Sequence, residues 1–94
     1  SNGLYRISDI DVNTAKSYIA KHGFESAIGH GATAEIMSDL LELDIPMNRI
    51  QFCQEIGQIV IVFKLNERPP EGEVLNREEL EQTGYCLKIM ERLE

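Results

Sequence analysis

The sequence predicts an α+β fold of the mixed α/β kind, with a central sheet of about four to five strands flanked by three helices in one domain. Three observations predict it. Helical periodicity with a start or stop signal occurs in three places, residues 59–63 form an unbroken Ile-Val-Ile-Val-Phe run, and shorter alternating stretches lie between the helical segments. No linker, repeat or low-complexity stretch divides the chain, so residues 1–94 read as a single domain. The predicted order is helix, strand, helix, strand, strand, helix, strand.

Asp11 is placed to cap the first helix, with Val12, Ala15 and Ile19 on one face and Gly23 as the stop after His22, which sits as a dipole partner. Residues 24–28 alternate as a short strand. The turn Gly29-His30-Gly31 leads into a second helix bearing Ile36, Met37, Leu40, Leu41 and Leu43, a core stripe that ends at Asp44-Ile45-Pro46 because proline disfavours helix in the residue before it. Residues 48–54 read as a strand and residues 55–58 as a turn. The run 59–65 is the most strand-like, and its continuous apolar character predicts a central strand covered on both faces. Asn76 with Glu79 three residues on spells a capping box for the third helix, Leu75 and Leu80 are spaced as a hydrophobic staple, and Gly84 closes it. Residues 85–90 alternate weakly as the last strand before a charged tail, 91–94.

Composition narrows the function. Nine basic against sixteen acidic residues give a net charge of −7, which repels duplex nucleic acid and anionic membrane surfaces. A small anionic ligand is compatible with that total, since a few arginines and helix amides make a locally positive pocket. Cys53 and Cys86 stand in apolar runs without metal-ligand spacing and read as buried thiols of a reducing cytoplasm. The apolar run at 59–63 is far too short for a membrane span. At this size a homodimer would help bury apolar surface.

The most informative segment is Ser26-Ala27-Ile28-Gly29-His30-Gly31-Ala32-Thr33-Ala34. It sets a histidine between two glycines where a predicted strand passes into a helix. Unpaired amides and the positive end of the helix dipole suit an anion there. Gly29 and Gly31 allow close approach to the main chain, and an imidazole exchanges protons near neutral pH. Glycine and histidine also occur in such turns for backbone reasons alone, so other residues must decide. Arg68-Pro69-Pro70-Glu71-Gly72 mounts an arginine and a carboxylate on a stiff loop after the apolar strand. Arginine forks two hydrogen bonds onto phosphate, and Glu71 can orient it or bond a sugar hydroxyl; the plain alternative is an exposed ion pair. Asn48-Arg49 offers a second phosphate grip. No His, Cys, Asp and Glu spacing supplies a metal site, which predicts chemistry without metal or cofactor.

Residues 24–30, Asn48-Arg49, Arg68-Pro69-Pro70-Glu71-Gly72 and Met90-Glu91-Arg92-Leu93-Glu94 together resemble a family of small proteins from archaeal viruses, phages and bacterial mobile elements known as ring nucleases, including viral anti-CRISPR members. The likeness runs from about Tyr5 to Glu94. It implies a cytoplasmic homodimer that takes cyclic tetra-adenylate, the messenger of type III CRISPR defence, and cuts it to linear di-adenylate ending in a 2′,3′-cyclic phosphate. The ring's own 2′-hydroxyl attacks. By the same resemblance His30 is the general acid, Arg68 and Glu71 assist, and Arg49, Asn48, Gly29, Gly31 and Thr33 line the ligand. The chain departs from the family pattern in two ways: the usual first strand is expected to be absent, since the sequence starts at Ser1-Asn2-Gly3, and Ala32 replaces a frequent serine. A second reading is a dimeric module that sequesters a nucleotide or contacts a protein without turnover.

Overall fold

Local capping fixes where the helices start. In the computed structural model, which describes residues 3–67 and 73–94, α1 spans Val12–His22 and begins with the Thr14 amide donating to the Asp11 carboxylate at 2.7 Å. Hydrogen bonding to Thr14, through its side chain first and through this amide second, holds the Asp11 carboxyl below its ordinary pKa. The capping box is present at the start of α3, Arg77–Thr83: the Glu79 amide donates to the Asn76 side chain at 2.8 Å and the Asn76 amide to the Glu79 carboxylate at 3.1 Å. Gly23 and Gly84 end α1 and α3 at positive φ, as the sequence predicts. The second helix, α2, spans Gly31–Leu41 and stops sooner than expected, because Glu42 turns left-handed with φ 55° and leaves Leu43 outside it. Lys16 of α1 bonds the Glu42 carboxylate, holding its pKa low and tying the two helices together.

Three strands make one antiparallel sheet: β1 (Tyr5–Asp9), β2 (Ile59–Leu65) and β3 (Tyr85–Arg92), in the order β1-β3-β2. The sequence-based picture changes in four respects. A strand does precede α1: β1 pairs along β3 from Tyr5↔Arg92 to Asp9↔Lys88, with Lys88 to Asp9 at 2.8 Å. The weakly alternating last strand is the central one, and its ladder runs through Glu91 and Arg92 rather than leaving them as a tail. The apolar β2 lies at an edge of the described sheet and is half-buried, not enclosed on both faces. Finally, among the described residues the sheet has three strands rather than four or five, because residues 24–28 and 48–54 form no ladder. They run as extended chain joined by a single backbone bond, the Asn48 amide to the Ile28 carbonyl at 2.7 Å. Their apolar residues alternate as a strand's do, but alternation specifies a face and not a neighbour.

Residues directly opposed in the ladder share a face, so Ile61, Phe63 and Leu65 stand beside Ile89, Leu87 and Tyr85. This face packs on the helices. Leu87 is buried with Ile19 of α1, Met37, Leu40 and Leu41 of α2, and Leu75 and Leu80 around α3. The core therefore sits between the sheet and the helices, and α2 is fixed along its whole buried stripe. That stripe sets the direction in which its first turn points. Both thiols depart from the expectation of burial: Cys53 is exposed in the extended 48–54 segment, and Cys86 is half-exposed because it alternates on β3 with the buried Leu87 and so stands on the other face of the sheet.

Candidate functional site

His30 is the N-cap residue of α2, in extended conformation, and it differs from Asp11 and Asn76 in making no side-chain capping bond. Its carbonyl accepts the first helical bond, from the Ala34 amide at 3.1 Å. The Gly31, Ala32 and Thr33 amides precede that bond and point out of the helix end, where an acceptor from outside satisfies them. The imidazole is exposed and Thr33 is half-buried one turn in.

The glycines on either side of His30 are not explained by backbone strain. Neither Gly29 nor Gly31 has a positive φ, so any residue could adopt their conformations. A side chain on Gly31 would project into open space, and one on Gly29 would meet only Arg49 at ordinary contact distance, 3.8 Å from its Cγ. What glycine supplies here is a bare surface above the first turn of α2.

Besides the Asn48 to Ile28 backbone bond, four side-chain hydrogen bonds tie this junction to the segment after α2. The Ser26 hydroxyl donates to the Pro46 carbonyl at 2.6 Å, and the Asn48 side-chain amide donates to the Ser26 carbonyl at 2.8 Å. Arg49 donates from Nε and Nη2 to the Gly29 carbonyl at 3.2 and 3.0 Å. The guanidinium thus lies against the residue that precedes His30, and its remaining donors are left toward solvent, Arg49 being exposed. Asn48 acts through the backbone of the junction rather than through a free side chain. Sequence reasoning gave no role to Ser26, which is 7% exposed, although it opens the segment singled out in the sequence. The signal was present in that a hydroxyl between apolar neighbours at a strand-to-turn transition needs a partner.

His30, Gly29, Gly31, Thr33, Asn48 and Arg49 are therefore in one region. Arg68 and Glu71 lie outside the described residues. Between Glu25 and Glu35, and again between Asp44 and Glu55, the chain carries no carboxylate, although sixteen of its residues are acidic. Both windows meet at the junction, so the two segments that form it bring no carboxylate of their own to the helix end or to Arg49. Among the described residues no cluster of three His, Cys, Asp or Glu side chains is arranged to hold a metal ion, and no helix is long and apolar enough to cross a membrane.

A small α+β domain with an uncapped, histidine-led helix start beside an arginine is the class these features define. The chain belongs to the STIV B116-like family, whose pattern matches residues 1–87. It is 37% identical over 84 residues to uncharacterized protein 26 of Sulfolobus islandicus filamentous virus (isolate Iceland/Hveragerdi), covering 88% of this chain and 71% of that protein. It is 36% identical to uncharacterized protein ORF117 of Acidianus two-tailed virus, covering 96% and 80%. A bacterial relative, uncharacterized protein YddF of Bacillus subtilis (strain 168), is 32% identical and covers 100% and 89%. In structure the chain is similar to B116 of Sulfolobus turreted icosahedral virus, with a TM-score of 0.78 over 94% of this chain and 83% of B116 at 20% identity, which establishes a shared fold.

Proposed function

We propose that this protein is a metal-independent ring nuclease that works as a homodimer on cyclic tetra-adenylate and so shuts off type III CRISPR signalling. The observation that carries this reading is the exposed His30, free of any capping bond, standing at the open start of α2 beside bare Gly31 and next to Arg49. A phosphodiester seated on the Gly31, Ala32 and Thr33 amides places its leaving oxygen within reach of the imidazole. The Arg49 donors not used on Gly29 suit a neighbouring phosphate. The family resemblance of the Arg68 to Glu71 loop adds the second arginine and the carboxylate.

The chemistry is an internal transfer. The ribose 2′-oxygen bonds to phosphorus and gives up its proton to solvent or to the Glu71 carboxylate, while the bond from phosphorus to the 5′-oxygen breaks. Protonated His30 supplies the proton that the departing 5′-oxygen takes up, and the arginines stabilise the charge on the pentavalent phosphorus. The nucleophile belongs to the substrate, so the protein's part is orientation, charge and one proton.

The test is incubation of labelled cyclic tetra-adenylate with the protein in excess chelator, following products over many equivalents of substrate. Multiple turnovers to linear di-adenylate with a 2′,3′-cyclic phosphate support the enzyme. Tight binding without products supports a sequestering module instead, and absence of binding removes the nucleotide. The open space above Gly31 gives a second test. Gly31→Ala fits the helical backbone and should leave the protein as stable or more stable, by about 0.4–1 kcal/mol. Its methyl group occupies the anion's approach, so affinity for the ring should fall by about tenfold, equal to about 1.4 kcal/mol. Thermal melting and calorimetric titration of the same preparation check both arms; unchanged affinity would move the ligand away from this helix end.

A further inference from the structure

Among the described residues two polar side chains are buried, Ser26 and Gln54, and Ser26 stands four residues before His30. Its hydroxyl is fully engaged. It donates to the Pro46 carbonyl at 2.6 Å and accepts from the Ile28 amide at 3.3 Å, while the Ser26 carbonyl accepts from the Asn48 side chain at 2.8 Å. The far end of this clamp is fixed as well. The amide of Ile45, a buried core residue, donates to the Ser38 hydroxyl at 2.9 Å, and that hydroxyl lies within 2.7 Å of the Ala34 carbonyl inside α2. Ser26 thus fastens the turn that enters α2 to the chain that has just left it.

We infer that Ser26 is a positioning residue of the site, its hydroxyl setting where the His30 imidazole stands relative to Arg49. This rests on the reading of His30 as the acid and adds the group that places it. The imidazole is exposed and makes no capping bond, so its place follows from the backbone that carries it. That backbone lies between Gly29 and Gly31, and glycine has more conformational freedom to lose than any other residue. On the C-terminal side α2 fixes it. On the N-terminal side the bonds come from the segment after Pro46: the Asn48 amide to the Ile28 carbonyl at 2.7 Å, and Arg49 to the Gly29 carbonyl at 3.0 and 3.2 Å. The bond from Ser26 to Pro46 holds that segment in register with the turn, and the bond from Ile28 to Ser26 holds the turn itself.

Such a clamp matters because a proton donor acts only within hydrogen-bond reach of the leaving oxygen. A displacement of about 1 Å, even from a change that touches no reacting atom, costs up to about 10²-fold in rate. Ser26→Ala removes both hydroxyl bonds and leaves the Pro46 carbonyl without this donor. Ser26→Thr keeps the hydroxyl, and the groove of about 440 Å³ that Ser26 borders leaves room for the added methyl group.

Two measurements test the inference. In the first, backbone NMR relaxation of the protein without nucleotide should give order parameters of about 0.85 at Gly29, His30 and Gly31, falling below about 0.6 in Ser26→Ala and restored in Ser26→Thr. Unchanged order in Ser26→Ala would overturn the inference. In the second, Ser26→Ala should lower kcat for cyclic tetra-adenylate by about 10–10²-fold with KM within a few-fold, and Ser26→Thr should recover most of it. Placed in the His30→Ala protein, Ser26→Ala should change the remaining rate by no more than about twofold, because the group it positions is gone. A merely structural serine would lower the melting temperature while leaving kcat of the folded fraction unchanged, or would cost the same factor with and without His30, and either result sinks the inference. Should Ser26→Ala fail to fold, Asn48→Ala, which removes only the bond to the Ser26 carbonyl, makes the same order-parameter comparison. The nuclease reading fails separately: a natural protein that leaves the ring whole while Ser26→Ala still loosens residues 29–31 removes the reaction and keeps the clamp.

Discussion

Replacing His30 by alanine is expected to slow ring cleavage by about 10²–10⁴-fold while ring affinity stays within a few-fold of the natural protein. The side chain is exposed and makes no capping bond, so its removal leaves the start of α2 as it was. Exposed substitutions of this kind change stability by no more than about 0.5 kcal/mol, and the melting temperature provides the control. A structural histidine would behave differently, with binding, stability and cleavage falling together. A more specific check replaces the bridging 5′-oxygen of the ring with sulfur. A thiolate leaves without needing a proton, so His30→Ala should recover most of its lost rate on that substrate if the imidazole serves as the acid. An equal defect on both rings would sink the assignment.

Leu41→Ala is expected to destabilise the fold by about 2–5 kcal/mol, through lost transfer energy and the cavity left behind. Leu41 is 0% exposed and Leu40 1%, and both belong to the cluster that holds α2 against β3 and α1. For a domain of this size that loss is a large part of the total stability and should lower the melting temperature by more than about 10 °C. Glu35→Ala, on the exposed side of the same helix, should change stability by about 0.5 kcal/mol or less. Urea unfolding of the two variants measures the contrast. Similar midpoints would mean that α2 does not pack by the face containing Ala34, Met37 and Leu41.

The site was partly legible before the fold was known. His30, Gly31 and Thr33 stand together in the chain, and a histidine between glycines before an amphipathic run marks a helix start from sequence alone. The clamp that holds this junction was not legible. Ser26 and Pro46, and Gly29 and Arg49, are twenty residues apart, and their hydrogen bonds depend on how α2 returns the chain alongside the turn. Arg49 showed itself as a cation suited to phosphate, whereas the structure shows that it also braces the carbonyl before His30.

The same division separates helices from strands. The sequence by itself determined the caps, starts and buried faces of the helices, because an Asp11 to Thr14 or Asn76 to Glu79 bond needs nothing beyond three neighbouring residues. The place of each strand was decided only in the tertiary structure. Tyr5 pairs with Arg92 across nearly the whole chain, and the apolar run of β2 lies at the edge while the weaker pattern of β3 lies between two partners. A strand's backbone donors and acceptors are satisfied by whichever chain lies beside it, so its side-chain pattern specifies a buried face and leaves the neighbour to long-range packing.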